Sequence, residues 1–100
     1  MDQALKERLI ALKALLWKAM NIAIRFYSIS KDLAGRNEMS FAVEENTTLR
    51  EALNIVLEEL PALKQIQSSA RYAIGVEFAM LDAHLSEGDT ISIIPPVQGG

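Results

Sequence analysis

The sequence predicts a small α+β domain, strand, strand, helix and further strands in order, carried behind an extra N-terminal helix. Three observations predict it. Apolar periodicity switches from helical to alternating at Met20, a helix-capping signature opens at Thr48, and an alternating segment from Thr90 to Ile94 precedes a proline- and glycine-rich end. One hundred residues, 50% apolar and 23% charged, suffice for one modest core and leave no room for a second domain.

From Asp2 to Ala19 the leucines Leu5, Leu9, Leu12 and Leu16 recur at spacings of four, three and four, one face of a helix, in a segment rich in good helix formers. Beyond Met20, Ile22, Ile24 and Phe26 alternate with Ala23, Arg25 and Tyr27 as in a strand. A connection containing Asp32, Gly35 and Asn37 leads to a second alternation, Met39, Phe41 and Val43 against Ser40, Ala42 and Glu44, expected to pair antiparallel with the first. Thr48-Leu49-Arg50-Glu51 has the spacing of a capping box, in which the Thr oxygen accepts an early helix amide and the Glu reaches back to the cap. Leu49, Leu53, Val56, Leu57 and Leu60 form the buried stripe of that helix, and Pro61, lacking an amide hydrogen, marks its end. Arg71 to Val76 and Phe78 to Leu81 read as short strands, Glu87-Gly88-Asp89 as a turn, and Thr90 to Ile94 as the last strand. One helical stripe buried against one sheet face is the economical packing of this order.

Composition excludes several classes of function. With no cysteine there is no disulfide framework, thiolate zinc site or cysteine nucleophile, and a cytoplasmic location is the expectation. Residues 1–19 carry Lys6, Arg8, Lys13 and Lys18 against Asp2 and Glu7, a net of +2, so residues 20–100 carry −5 of the total −3. So acidic a body argues against binding the phosphate backbone of nucleic acid. Lys13 and Lys18 interrupt the most apolar stretch, which is too short to span a bilayer or to serve as a signal peptide. His84 is the only histidine and has no second metal ligand of the usual kind beside it, so it reads as a surface residue and no metal site is expected. Glu44-Glu45 and Glu58-Glu59 read as solvated faces.

The chain closes on Gly88-Asp89, a five-residue strand, Pro95-Pro96-Val97, one variable residue and Gly99-Gly100. With Phe26-Tyr27, Asp32-Leu33-Ala34-Gly35-Arg36 and Thr48-Leu49-Arg50-Glu51-Ala52-Leu53, this ending resembles the small subunits of molybdopterin synthase, ubiquitin-like sulfur carriers with a β-grasp fold. The resemblance covers Met20 to Gly100. It implies a ubiquitin-like β-grasp domain over residues 20–100 with a flexible tail over 95–100, and residues 1–19 as a helical extension outside the family pattern. That extension is a native helix that packs on the domain or mediates self-association, an over-extended start, or a segment added to the natural chain; its amphipathic stripe favours the first. The family usually has Asn where this chain has Gly75.

The resemblance also implies a chemistry. An ATP-dependent, ubiquitin-activating-like adenylyltransferase would adenylate the Gly100 carboxylate, and sulfur from a donor protein would replace AMP. The thiocarboxylate would then enter the synthase large subunit and deliver sulfur to a pterin precursor. The chain would bind no cofactor itself, ATP belonging to the activating partner, and would not be catalytic alone. Gly99 and Gly100 suit passage through a narrow channel because they lack Cβ, while Pro95 and Pro96 stiffen the base of the tail. In the family, the positions of Tyr27, Phe78 and Ile94 contribute to an apolar surface that contacts the large subunit and the activating enzyme, with Pro95, Pro96 and Val97 leading on from it. Alternation agrees for Ile94, an apolar residue on the side of Thr90 and Ser92 rather than of Ile91 and Ile93. A sulfur carrier for thiamin or another thio-metabolite, and a protein modifier conjugated through Gly100, are the competing readings; Pro-Pro-Val separates the first of these.

Overall fold

The computed structural model describes residues 3–8 and 19–96. Residues 3–8 are helical and exposed throughout; the remainder of the expected N-terminal helix, like the tail from Val97 to Gly100, lies outside the described residues. The domain runs β1 (Ala19–Phe26), α1 (Ile29–Ala34), β2 (Glu38–Glu44), α2 (Leu49–Glu59), a 3₁₀ helix (Pro61–Ile66), β3 (Arg71–Ile74), β4 (Glu77–Phe78) and β5 (Thr90–Ile94). The strands form one mixed sheet of order β2-β1-β5-β3-β4. β1 pairs antiparallel with β2, as expected, and parallel with β5. The first and last strands therefore lie side by side at the sheet's centre.

The alternation of β1 decides which face is covered. Met20, Ile22, Ile24 and Phe26 are buried, and Ile91 and Ile93 of β5 join them, Ile24 opposite Ile91 and Phe26 opposite Ile93. Leu49, Ala52, Leu53, Val56 and Leu57 of α2 close on that face, with Leu63 and Ile66 of the 3₁₀ helix and Leu85 filling its ends. Leu60 is the C-cap of α2 and only half-buried, so it ends the stripe rather than extending it. At the sheet's margin cover thins: of β2 only Val43 is buried, with Met39 and Phe41 half-exposed.

The start of α2 accounts for each of its first amides. Leu49 and Arg50 donate to the carbonyls of Ala83 (2.8 Å) and Leu81 (2.9 Å) in the loop that crosses above them. The Glu51 amide donates to Thr48 Oγ1 (3.3 Å), and Glu51 Oε1 accepts from the Thr48 amide (3.0 Å), the reciprocal capping box read from the sequence. Those bonds favour the ionised Glu51, whose pKa is lowered first by the Thr48 amide, then by the Thr48 hydroxyl.

Four sequence expectations are corrected. Ala19, assigned to the preceding helix, opens β1, because it already pairs with Glu44. The connection around Asp32 holds the short helix α1, with Gly35 left-handed at its end (φ 73°). That helix has no side-chain cap; Ser30, fully buried, holds its entry by accepting the Tyr27 amide (2.8 Å) and donating to the Tyr27 carbonyl (2.6 Å). As expected, α2 ends before Pro61; the chain then continues as a 3₁₀ helix, where proline occupies an N-terminal position that needs no donor. The strand expected over Arg71 to Val76 stops at Ile74, because Gly75 turns the chain at φ 62°. The Gly75 amide still donates to the Thr90 carbonyl (2.9 Å). The strand expected over Phe78 to Leu81 is reduced to Glu77–Phe78, paired with Ile74 and Ala73; beyond it the Ala79 amide still donates to the Tyr72 carbonyl (2.9 Å). By contrast the Glu87-Gly88-Asp89 turn stands where expected, with Gly88 left-handed (φ 81°) and its amide donating to Asn21 O (2.8 Å).

Candidate functional site

The face of the sheet turned away from α2 carries the residues singled out from the sequence. In β5, Thr90, Ser92 and Ile94 are half-exposed, while Ile91 and Ile93 are buried. Cross-strand partners share a face. Ile94 lies opposite Arg71, and Ser92 opposite Ala73, which lies in turn opposite Phe78. The open face therefore runs from Ile94 and Arg71 through Ser92 and Ala73 to Phe78. Arg25 stands opposite Ser92 on the other side.

Phe78 is 71% exposed and Tyr27 44%. Both are aromatic rings that the fold leaves in water, as a docking surface requires and a closed core does not. Tyr27 follows directly on β1, one residue beyond the Phe26 to Ile93 pair, and so comes beside Ile94 at the same end of the sheet. Its backbone is fixed by the two Ser30 bonds, and the next residue, Ser28, holds a positive φ of 52°, unusual for a residue with a side chain. The short helix α1 thereby positions Tyr27, a role no local sequence signal announced.

Pro95, half-exposed, and Pro96, exposed, follow Ile94 without a break. The ladder ends at Ile94, and two prolines cannot prolong it. The structure thus brings Tyr27, Ile94 and Pro95 together at one end of the open face and sets Phe78 at the β4 margin of the same face. Val97, Gly99 and Gly100 lie outside the described residues. Alternation had already set Ser92 on the side of Ile94 and Arg25 on that of Tyr27, whereas Arg71 and Ala73 were missed as members of this face. Their parity relative to Ile91 and Ile93 was the available signal, but reading it needed the strand register.

Other candidates stay apart from this face. His84 is exposed and bridges Thr48 across an isolated backbone pair, where its nearby charge is a small contribution to lowering the Glu51 pKa. The glutamate pairs Glu44-Glu45 and Glu58-Glu59 are exposed. Among the described residues no cluster of three or more His, Cys, Asp or Glu could hold a metal ion, and no helix is long and apolar enough to cross a membrane.

A mixed sheet grasping one long helix, with the first and last strands parallel at its centre, defines a ubiquitin-like β-grasp protein. The chain belongs to the ThiS family, whose sequence profile matches residues 24–100. It is similar to the molybdopterin synthase sulfur carrier subunit of Chlamydomonas reinhardtii, 28% identical over 83 residues that cover 81% of this chain and 100% of that one. Among solved structures, SAMP1 from Haloferax volcanii superposes with a TM-score of 0.74 at 22% identity, over 80% of this chain and 99% of that one, a likeness of fold. A chain of the complex of subunits 1 and 2 of the molybdopterin-converting factor from Helicobacter pylori superposes with a TM-score of 0.57 at 29% identity, over 81% of this chain and 100% of that one.

Proposed function

We propose that this protein is the sulfur carrier of a molybdopterin synthase, that the open sheet face docks it on the large subunit, and that the Gly100 carboxylate carries the sulfur. The observation that carries the reading is Ile94, an apolar side chain on the open face immediately before Pro95-Pro96, in a chain matched by its family through Gly100. The carrier name of the algal relative and the two-subunit assembly of the Helicobacter neighbour support it.

A carboxylate is a poor acyl donor, so the chemistry begins outside this chain. A ubiquitin-activating-like adenylyltransferase joins the Gly100 carboxylate to AMP and releases pyrophosphate from ATP. A sulfur nucleophile from a donor protein then displaces AMP, leaving a thiocarboxylate. In the large subunit sulfur passes to a pterin precursor and the chain returns as carboxylate. The domain's own part is docking and reach: the open face fixes its orientation, and the prolines start the tail in a direction the sheet defines.

Reach gives the test. Deleting Gly100 moves the acyl carbon by about 3.3 to 3.6 Å along an extended chain, as far as the roughly 3 to 3.5 Å to which reacting atoms must approach. The core closes at Ile93, well before the terminus, so melting temperature should hardly move while sulfur transfer by the reconstituted synthase collapses. Intact mass after incubation with ATP, activating enzyme and sulfur source should show one terminal oxygen replaced by sulfur in the full chain. Full transfer activity in the deletion variant, or sulfur mapped to an internal residue, would refute a terminal carrier. Conjugates to lysine in its place would make the chain a protein modifier.

A further inference from the structure

A concavity lies away from the centre of the open face, along the β3–β4 margin. It is a groove of about 840 Å³ between α2, the residues after the 3₁₀ helix, and the segment from Phe78 to Leu81. Its floor is apolar: Leu53 and Leu57 from α2, with Tyr72 and Leu81 opposite. Burial in this floor raises the Tyr72 pKa.

Arg50, Lys64 and Arg71 line the same groove, and no aspartate or glutamate does. Residues 20–100 contain only six lysines and arginines and carry a net −5, so half of the body's cations stand around one cleft of an acidic domain. Each of the three is exposed, and no carboxylate among the described residues pairs with it. Along the outer lip Phe78 and Met80 point outward, 71% and 76% exposed. An apolar floor, a cationic rim and an apolar lip form a surface with one electrostatic complement.

We infer that this groove docks an acidic polypeptide segment of a partner protein, with apolar side chains on the Leu53–Leu57 floor and carboxylates meeting Arg50, Lys64 and Arg71. The chain's own N-terminal segment, at +2, has the wrong sign for this rim. Charged groups around an apolar core give such a contact its selectivity and its encounter rate. The groove meets the open face at Arg71 and Phe78, while the docking reading above rests on Ile94.

The test uses the whole chain and two short fluorescent peptides, one with leucine at helical spacing among glutamates and the other with lysines in their place. Backbone amide shifts should move for α2 and for residues 78–81 with the glutamate peptide, and not with the lysine peptide. Arg50→Glu with Lys64→Glu should weaken binding about tenfold or more, since each tenfold corresponds to roughly 1.4 kcal/mol, and added salt should mimic the loss. Glutamate suits the first turn of α2, so the variant keeps its fold, checked by amide dispersion. Equal binding of both peptides, shifts confined to the open face, or indifference to the double substitution would overturn the proposal. Saturation by inorganic phosphate or ATP alone would make the groove a phosphate site instead, and a dimer forming through it would make the occupant a second copy.

Discussion

The two faces of the sheet are made by the same strands and obey opposite rules. On the covered face, Ile24 and Ile91 stand opposite each other with no exposure at all, sealed by α2. On the open face, one residue out of phase, Ser92 and Ile94 are half-exposed and Phe78 is almost fully in water. Burial on the first face stabilises the domain, whereas the second leaves apolar area unburied, a cost recovered only on association. In β5 the separation is a matter of parity: Ile93 is buried in the core, and Ile94, its neighbour, stands half-exposed on the open face.

The comparison predicts an asymmetry within one strand. Ile91→Ala should cost about 2–5 kcal/mol, because deleting a fully buried isoleucine removes its transfer energy and leaves a cavity. Chemical denaturation would measure it, and a loss under about 1 kcal/mol would mean the covered face is not closed as described. Ile94→Glu should change stability by less than about 1 kcal/mol, yet weaken binding to the synthase large subunit by about 2 kcal/mol or more by placing an unpaired carboxylate in the contact. Calorimetric titration of the folded variant tests it; unchanged affinity would remove the open face from docking.

The smallest expected effect sharpens the covered side. Thr48→Ala should cost about 1 kcal/mol, since it strips the α2 cap of its hydroxyl. Glu51 adds a pH signature. Its pKa is lowered in the folded chain, so its contribution is fully present above the unfolded carboxylate's pKa and is lost as pH falls through the lowered folded value. Thermal melts of wild type and Glu51→Gln should therefore converge in acid and separate toward neutral pH. Parallel curves would show that the capping carboxylate contributes nothing.

Much of the fold was legible because its signals are local. Alternation in β1 and β5 announces one buried face, and the Thr48–Glu51 box writes the start of α2 in four residues. What escaped depends on tertiary contact. α1 is six residues long, without a side-chain cap, and held by the buried Ser30; the 3₁₀ helix packs Leu63 and Ile66 into a core that only the assembled sheet supplies. β4 pairs over only Glu77 and Phe78, an extent that depends on cross-strand pairing and is not written in its own residues. Of the candidate site, Ile94 was readable through alternation and resemblance and Phe78 through resemblance, whereas Arg71 joined them only once register was fixed. The cationic groove had no signal in sequence, since Arg50, Lys64 and Arg71 come from three separate elements.

The parallel pairing of β1 with β5 also bears on how the chain comes to fold. The middle strand of the sheet is the last to be synthesised, and its partners β1 and β3 have no common neighbour until it arrives. Contacts that join the two ends of a chain form late, after a large loop-closure cost has been met. A product cut short before Thr90 therefore lacks Ile91 and Ile93 and the seam that joins the two halves of the sheet, and remains an exposed, degradable intermediate. Folding itself then acts as proofreading: a molecule that has reached the native state has been translated at least through β5, the strand on which both halves of the sheet close.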